Sequence, residues 1–191
     1  MRIKNQLLLL TAVSVAFLTA CNSTPELRKR EGFLTTYNLV QKVDDATMRY
    51  SDPVGLGLVK QFILSPVKVT VMEFEGKATT QEQRDAVSDY VRDAMVRALG
   101  DKYPFVTEAG PDTAEIRVAI TDVYRKGGKL GISLEGEVLD SSNHQIHAAV
   151  ASAMSKQAYT GAWNNAPVFK ETIDGMAKVF RQRLNEAQAT Q

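Results

Sequence analysis

The residue types most often used for chemistry are sparse in this chain, and few of them cluster. His144 and His147 are its two histidines, and Asp140, Ser141 and Ser142 precede them in one short stretch. An H-x-x-H pair on a helix would bring both rings to one face. Here the pair runs from a turn into a strand, where odd spacing sends side chains to opposite sides. Zinc takes three or four protein ligands, and Asp140 is the one further candidate nearby, so no metal is expected. Asp, Ser and His are also the residue types of a hydrolytic triad, but a triad is assembled across a fold, and no nucleophile-elbow motif is present. Asp140-Ser141-Ser142-Asn143 reads as a hairpin loop, as does Lys126-Gly127-Gly128-Lys129, which lacks the frame of a phosphate-binding loop. Glu73/Glu75 and Glu135/Glu137 are each spaced by two, which sets each pair on one face of a strand. Paired carboxylates can exchange protons or hold a cation; the expectation is a solvated sheet face. Asp89, Asp93, Arg92 and Arg97 read as the solvated side of a helix. Phe33, Tyr37, Tyr50, Tyr103, Tyr124, Tyr159 and Trp163 are spread along the chain, most of them as core and some as candidates to line a groove.

The residue with a definite chemical prospect is Cys21, the single cysteine. Ahead of it lie Arg2 and Lys4, then an apolar run of about 14 residues from Leu7, then small residues, the layout of a secretory signal. The run is shorter than the roughly 20 residues a membrane-spanning helix needs. Leu18-Thr19-Ala20-Cys21 resembles the lipobox of bacterial lipoproteins. That resemblance implies cleavage after Ala20, a diacylglyceryl group on the Cys21 thiol and an acyl chain on its new amino terminus. Each buried methylene contributes about 0.8 kcal/mol, so two or three chains make a durable anchor. Asn22, rather than Asp, follows the cysteine; by the sorting rule of enterobacterial lipoproteins this implies the outer membrane, with the domain facing the periplasm.

Residues 1–20 are thus read as a signal peptide, 21–32 as the lipidated cysteine and a tether, 33–187 as one folded domain and 188–191 as a tail. The tether spans roughly 35–40 Å if extended. The precursor's 23 basic residues lose Arg2 and Lys4 with the signal, leaving 21 against 22 acidic ones. A chain without net positive charge or basic clustering is not expected to bind nucleic acid. With Cys21 acylated no disulfide can form, so the core alone must hold the fold.

Elements follow from periodicity. Val67–Phe74 alternates and is expected to be a central strand. Thr80–Leu99 carries an apolar stripe of Val87, Tyr90, Val91, Ala94, Met95 and Ala98; Thr80 with Gln83, or equally Thr79 with Glu82, can form a capping box and Gly100 a left-handed C-terminal cap. Tyr103–Thr107, Glu115–Tyr124, Leu130–Leu139 and Gln145–Met154 are further strands. Pro167–Ala187 is a helix with Phe169, Ile173, Met176, Phe180 and Leu184 inward and Asn164 or Asn165 as its cap. Phe33–Leu64 lacks a period and is expected to wrap over the domain. The fold class is α+β: an antiparallel meander of about five strands, in the order β-α-β-β-β-β-α, with two helices on one face.

Gly32-Phe33-Leu34 with Tyr37 and Leu39, Tyr50-x-x-Pro53, Tyr90-x-x-Asp93-Ala94, the run Ala98 to Pro104, and Ile116 to Val123 together resemble domain of unknown function 3313, a family of bacterial lipoproteins. The resemblance covers about Gly32 to Lys126. It implies an envelope location and supplies no catalytic residues. The expected function is a non-enzymatic binding or scaffolding module without a cofactor, whose partners are the membrane and an envelope protein or peptidoglycan. The alternatives are a hydrolase built from dispersed acidic and serine residues, or an accessory subunit of a transport or secretion complex.

Overall fold

The computed structural model describes residues 32–126, 128–158 and 162–190. The signal peptide, Cys21, nearly all of the tether and Tyr159 lie outside the described residues.

Three long strands form the centre: β7 (Thr113–Lys126), β8 (Lys129–Asp140) and β9 (Ile146–Ala158), paired antiparallel in sequence order. This part matches the expected meander, since each strand alternates apolar and polar residues. The sheet as a whole is larger, with seven strands and mixed directions. Beyond β9 lie β2 (Thr47–Ser51) and, at the edge, β1 (Gln41–Asp44), both antiparallel. On the other edge, β3 (Gln61–Leu64) and β4 (Lys68–Val69) pair parallel to β7. The segment expected to wrap over the domain therefore extends the sheet on both sides. Parallel neighbours need a crossover, and helix α2 (Gln81–Leu99) supplies it between β4 and β7.

The single strand expected over Val67–Phe74 is also divided. Only Lys68–Val69 joins the main sheet. Glu73–Phe74, as β5, pairs instead with Lys77–Ala78, as β6, through a turn in which Glu75 and Gly76 have φ of 52° and 75°. Tyr103–Thr107 does not form a strand; Phe105 makes one isolated bridge to Phe62.

Thr80 caps α2, accepting a hydrogen bond from the Gln83 amide while the Gln83 side chain accepts from the Thr80 amide. Gly100 ends the helix with φ of −65°, so the left-handed cap is not formed. A third element, the short helix α1 (Pro53–Leu58), starts at Asp52, whose carboxylate accepts from the Val54 amide. Helix α3 (Pro167–Ala189) begins with Pro167, and its N-cap position is Ala166, which has no side chain able to cap, so the expected asparagine cap is not at that position. The proline needs no donor partner at that position.

Helices α2 and α3 lie on one sheet face. Val87, Val91 and Leu99 of α2 and Phe169, Ile173 and Leu184 of α3 meet Ile116, Ile120, Ile132, Leu134 and Val138 in the main core. The helices are also joined by polar contacts: Tyr90 donates to Asp174 at 2.8 Å, Arg97 to the same carboxylate at 3.0 Å, and Arg181 to the Ala98 carbonyl at 2.8 Å. Burial and the Asp174 carboxylate push the Tyr90 phenol up.

The opposite sheet face is covered too. Residues 32–40 cross it as a strap, and Leu34 and Val40 pack against Ala149 and Ala151. Small side chains on β9 leave the strap room to approach the sheet.

Candidate functional site

Two polar centres lie within this framework. The first is under the strap. Glu135 and Glu137, expected on a solvated face, are 1% and 2% exposed. They do share a face, as their spacing requires, but the strap covers it. Glu137 accepts from the Thr35 amide at 2.9 Å, the Thr35 hydroxyl at 3.0 Å and the Arg117 guanidinium at 2.6 Å. Arg117 stands directly opposite Glu137 on β7, and its guanidinium lies over the Phe33 ring at 5.2 Å. The Tyr37 hydroxyl donates to Glu135 and accepts from the Gly32 amide. Burial, then the Glu135 carboxylate, raises the Tyr37 pKa. Buried carboxylates held by this many donors serve to hold the strap down. The other glutamate pair is separated, with Glu73 in β5 and Glu75 in the turn, where Glu75 pairs with Arg125.

The second centre is a pocket of about 280 Å³ at the end of the sheet where β8 finishes and β9 begins. Its walls include Asp52, Gly55 and Leu58 at α1, Asp112 and Thr113 entering β7, and Asp140 and His147. A register shift positions the histidine: Leu139 pairs with Ile146 and Val138 with Ala148, so His147 is the extra residue of a β-bulge. Bulges redirect a side chain without breaking the strand. His147 is 8% exposed, with Nδ1 3.7 Å from Asp52 Oδ2 and Nε2 3.9 Å from Asp140 Oδ2. Among the described residues, Nδ1 has no hydrogen-bond partner. Gly55 lies against the ring so closely that a Cβ there would fall 2.1 Å from Nδ1. That contact requires glycine.

Of the residues weighed in the sequence, Asp140 and His147 do come together. His144 does not; it is exposed in the turn with φ of 58°. The Ser141 hydroxyl donates to the Gly110 carbonyl, and the Ser142 hydroxyl to Asp140. Asp140 Oδ1 also accepts from the Ser142 and Asn143 amides. The Ser142 hydroxyl, then these amides, hold the Asp140 pKa below the ordinary carboxylate value. No local pattern in the sequence marks Asp52 as a neighbour of His147.

Among the described residues, no hydroxyl is hydrogen-bonded to the His147 imidazole. The two carboxylates flank opposite ring nitrogens, which does not converge on a metal ion. Among the described residues, no group of three or more His, Cys, Asp or Glu side chains could hold one. Of the helix-surface charges, Arg92 lies 3.7 and 3.4 Å from Asp89 and Asp93, while Arg97 turns to Asp174.

A family model described as protein of unknown function (DUF3313) matches residues 29–131, more than half of the 191. The chain belongs to that family. The match takes in the strap, α1, β3 and α2 of this DUF3313 chain and ends before Glu135, Asp140 and His147. No curated protein matches its sequence. Among solved structures, a DUF330-family protein from Xanthomonas campestris is similar over 73% of this chain and 92% of its own, with a TM-score of 0.50 and 16% identity. The PelC dodecamer from Paraburkholderia phytofirmans is similar over 72% and 95%, with a TM-score of 0.45 and 11% identity. The lipoprotein GNA1162 from Neisseria meningitidis is similar over 63% and 96%, with a TM-score of 0.38 and 9% identity. The Xanthomonas likeness is one of fold. No helix among the described residues of this DUF3313 chain is long and apolar enough to cross a membrane.

Acid should loosen this DUF3313 chain in a defined range. Asp140 is held low as described, and Asp101 is held low by the Arg181 guanidinium. Burial opposes ionisation of Asp174, but hydrogen bonds from Tyr90 and Arg97 outweigh it and the pKa is lowered. A carboxyl whose folded pKa is depressed contributes stability above its unfolded value, about 3.9, and loses it as pH falls through the folded value. Thermal midpoints are expected to be level from neutrality to about pH 5 and to fall below about pH 4. Asp140→Asn should remove part of that fall; a midpoint unchanged down to pH 2 would contradict the assignment.

Proposed function

We propose that the chain is a lipoprotein anchored through Cys21 to the outer membrane, with its domain in the periplasm acting as a non-catalytic binding module. The observation that carries this reading is the continuity from lipobox to strap. Residues 18–21 match the lipobox, a tether of about eleven residues follows, and the chain then enters a strap fixed by buried Glu137. An anchor joined to a rigid point on the fold holds the domain near the membrane while leaving the pocket and the α1 surface for a partner. An envelope protein or peptidoglycan is the expected partner.

The intact mass of protein extracted from membranes tests the anchor. The expected species begins at Cys21 and carries diacylglyceryl and N-acyl groups, whereas Cys21→Ser should remain unlipidated. A chain starting at residue 21 without lipid mass would remove the basis of the proposal. Density-gradient separation of the membranes should place the native form in the outer-membrane fraction. Cross-linking in cells should recover an envelope partner that Cys21→Ser loses.

A further inference from the structure

We propose that the pocket around His147 receives the guanidinium of an arginine side chain presented by a protein partner, which gives the partner chemistry of the binding module proposed above and rests on that reading. Two carboxylates that line the pocket each have one oxygen in use and one facing His147. Asp52 Oδ1 accepts from the Val54 amide and Asp140 Oδ1 from the Ser142 and Asn143 amides. Their Oδ2 atoms face His147 at 3.7 and 3.9 Å, beyond hydrogen-bond distance. The third carboxylate, Asp112, is already held by Lys60 at 2.7 Å. The independent sign of an unmet contact is His147 itself. It lines the pocket, is 8% exposed, and leaves a buried nitrogen without a hydrogen bond. A buried polar atom without a hydrogen bond is costly in a folded protein.

Charge and shape select the ligand. The side chains of Asp52 and Asp140 are 23% and 30% exposed, so they are partly shielded from solvent, and a cation with several N–H donors can bridge them beside the ring. A metal ion cannot, because the carboxylates sit at opposite edges of the imidazole. The rim points to a side chain on a polypeptide rather than a free amine. Val54 and Leu58, four residues apart on one face of α1, line the pocket and are 63% and 57% exposed. An aliphatic stem and apolar residues flanking it would cover them.

The test uses the full-length lipoprotein in detergent, labelled at its histidines. Only two Hε1 signals arise, and His144, exposed in the turn, is the internal control. The probe is the capped tripeptide Leu-Arg-Leu, compared with Leu-norleucine-Leu and with capped arginine alone. A saturable shift of the His147 signal without a shift of His144 is expected, with binding at least tenfold weaker for each comparison compound. Asp52→Asn and Asp140→Asn, which keep an acceptor for the caps, should each weaken it about fivefold. Absence of a saturable His147 shift, equal binding of the norleucine peptide, or equal binding of capped arginine would each overturn the proposal. Such a failure is separable from failure of the envelope reading, because lipid mass and membrane fractionation of the same preparation report on the latter independently.

Discussion

Replacing Glu137 by alanine is expected to destabilise the protein by about 3 kcal/mol and to free the strap before the rest unfolds. The carboxylate is fully buried, while its partner Arg117 is 34% exposed. Removing it strands three donors together: the Thr35 amide, the Thr35 hydroxyl and the Arg117 guanidinium. Breaking a buried pair by deleting one partner typically costs 3–5 kcal/mol because the other charge stays desolvated. Arg117 can partly turn to solvent, which argues for the lower end. The loss should be uneven. Strap residues 32–40 gain most of their fixation from this carboxylate, from Tyr37–Glu135 and from the packing of Leu34 and Val40. Helices α2 and α3 touch the other face. Amide exchange and limited proteolysis should therefore accelerate first at the strap, with the α2 and α3 amides following only the global change. Tyr37→Phe, which removes one donor from the buried Glu135 carboxylate, should cost about 2 kcal/mol. A Glu137→Ala protein as stable as the parent, with its strap still protected, would show that burial of Leu34 and Val40 alone holds the segment. In the anchored protein the same variant should lengthen the effective tether without releasing it from the membrane.

How much of this was legible depends on the range of the determining contact. The α2 stripe and its capping residues are written within twenty residues; of the two boxes the sequence offers, Thr79–Glu82 and Thr80–Gln83, the fold forms the second. Strands β7, β8 and β9 are long, and their alternation is visible before any partner is known. The short parallel strands are different. Gln61–Leu64 and Lys68–Val69 exist because β7 offers a free edge and α2 provides the crossover, and neither fact is local. The Val67–Phe74 alternation was genuine, but the Glu75-Gly76 turn draws its second half into a separate hairpin. Glu135 and Glu137 show the same limit for polar groups. A spacing of two places them on one face, and only the fold reveals that Thr35 and Tyr37, about a hundred residues earlier, lie over it. For His147 the spacing argument separates the two histidines, as found, but the bulge that sets the ring beside Asp52 and Asp140 is not written in the spacing.

The most damaging core substitution should be Phe62→Ala, at about 4 kcal/mol. Phe62 has no exposed surface, and its ring centroid lies 5.8 Å from that of Tyr103, 5.9 Å from Phe180 and 6.4 Å from Phe105. The cost of such a truncation depends on how far the surroundings can collapse into the space. Here they cannot move far. The Phe62 amide donates to the Pro104 carbonyl at 2.9 Å, and its own carbonyl accepts from the Val106 amide at 2.8 Å, which fixes β3 against the chain leaving α2. Tyr103 is fixed in turn, its hydroxyl within 3.2 and 3.0 Å of Asn185 and Gln188 on α3. Against a total stability of about 5–15 kcal/mol, the loss is large, and the thermal midpoint should fall by roughly 10 °C. Phe62→Leu, which keeps most of the volume, should cost less than half as much. The effect should also reach the pocket. Only Val59 and Lys60 separate α1 from β3, and the Val59 carbonyl accepts from Gln188 at 2.9 Å. Loosening β3 therefore removes the support from which α1 presents Asp52 and Gly55 to His147. Denaturant unfolding gives the energy, and the His147 Hε1 signal gives the coupling. A variant that loses the stability but keeps that signal unmoved would mean that α1 is held by its own hydrogen bond to β9, from the Asp52 amide to the His147 carbonyl at 2.7 Å, and not through β3.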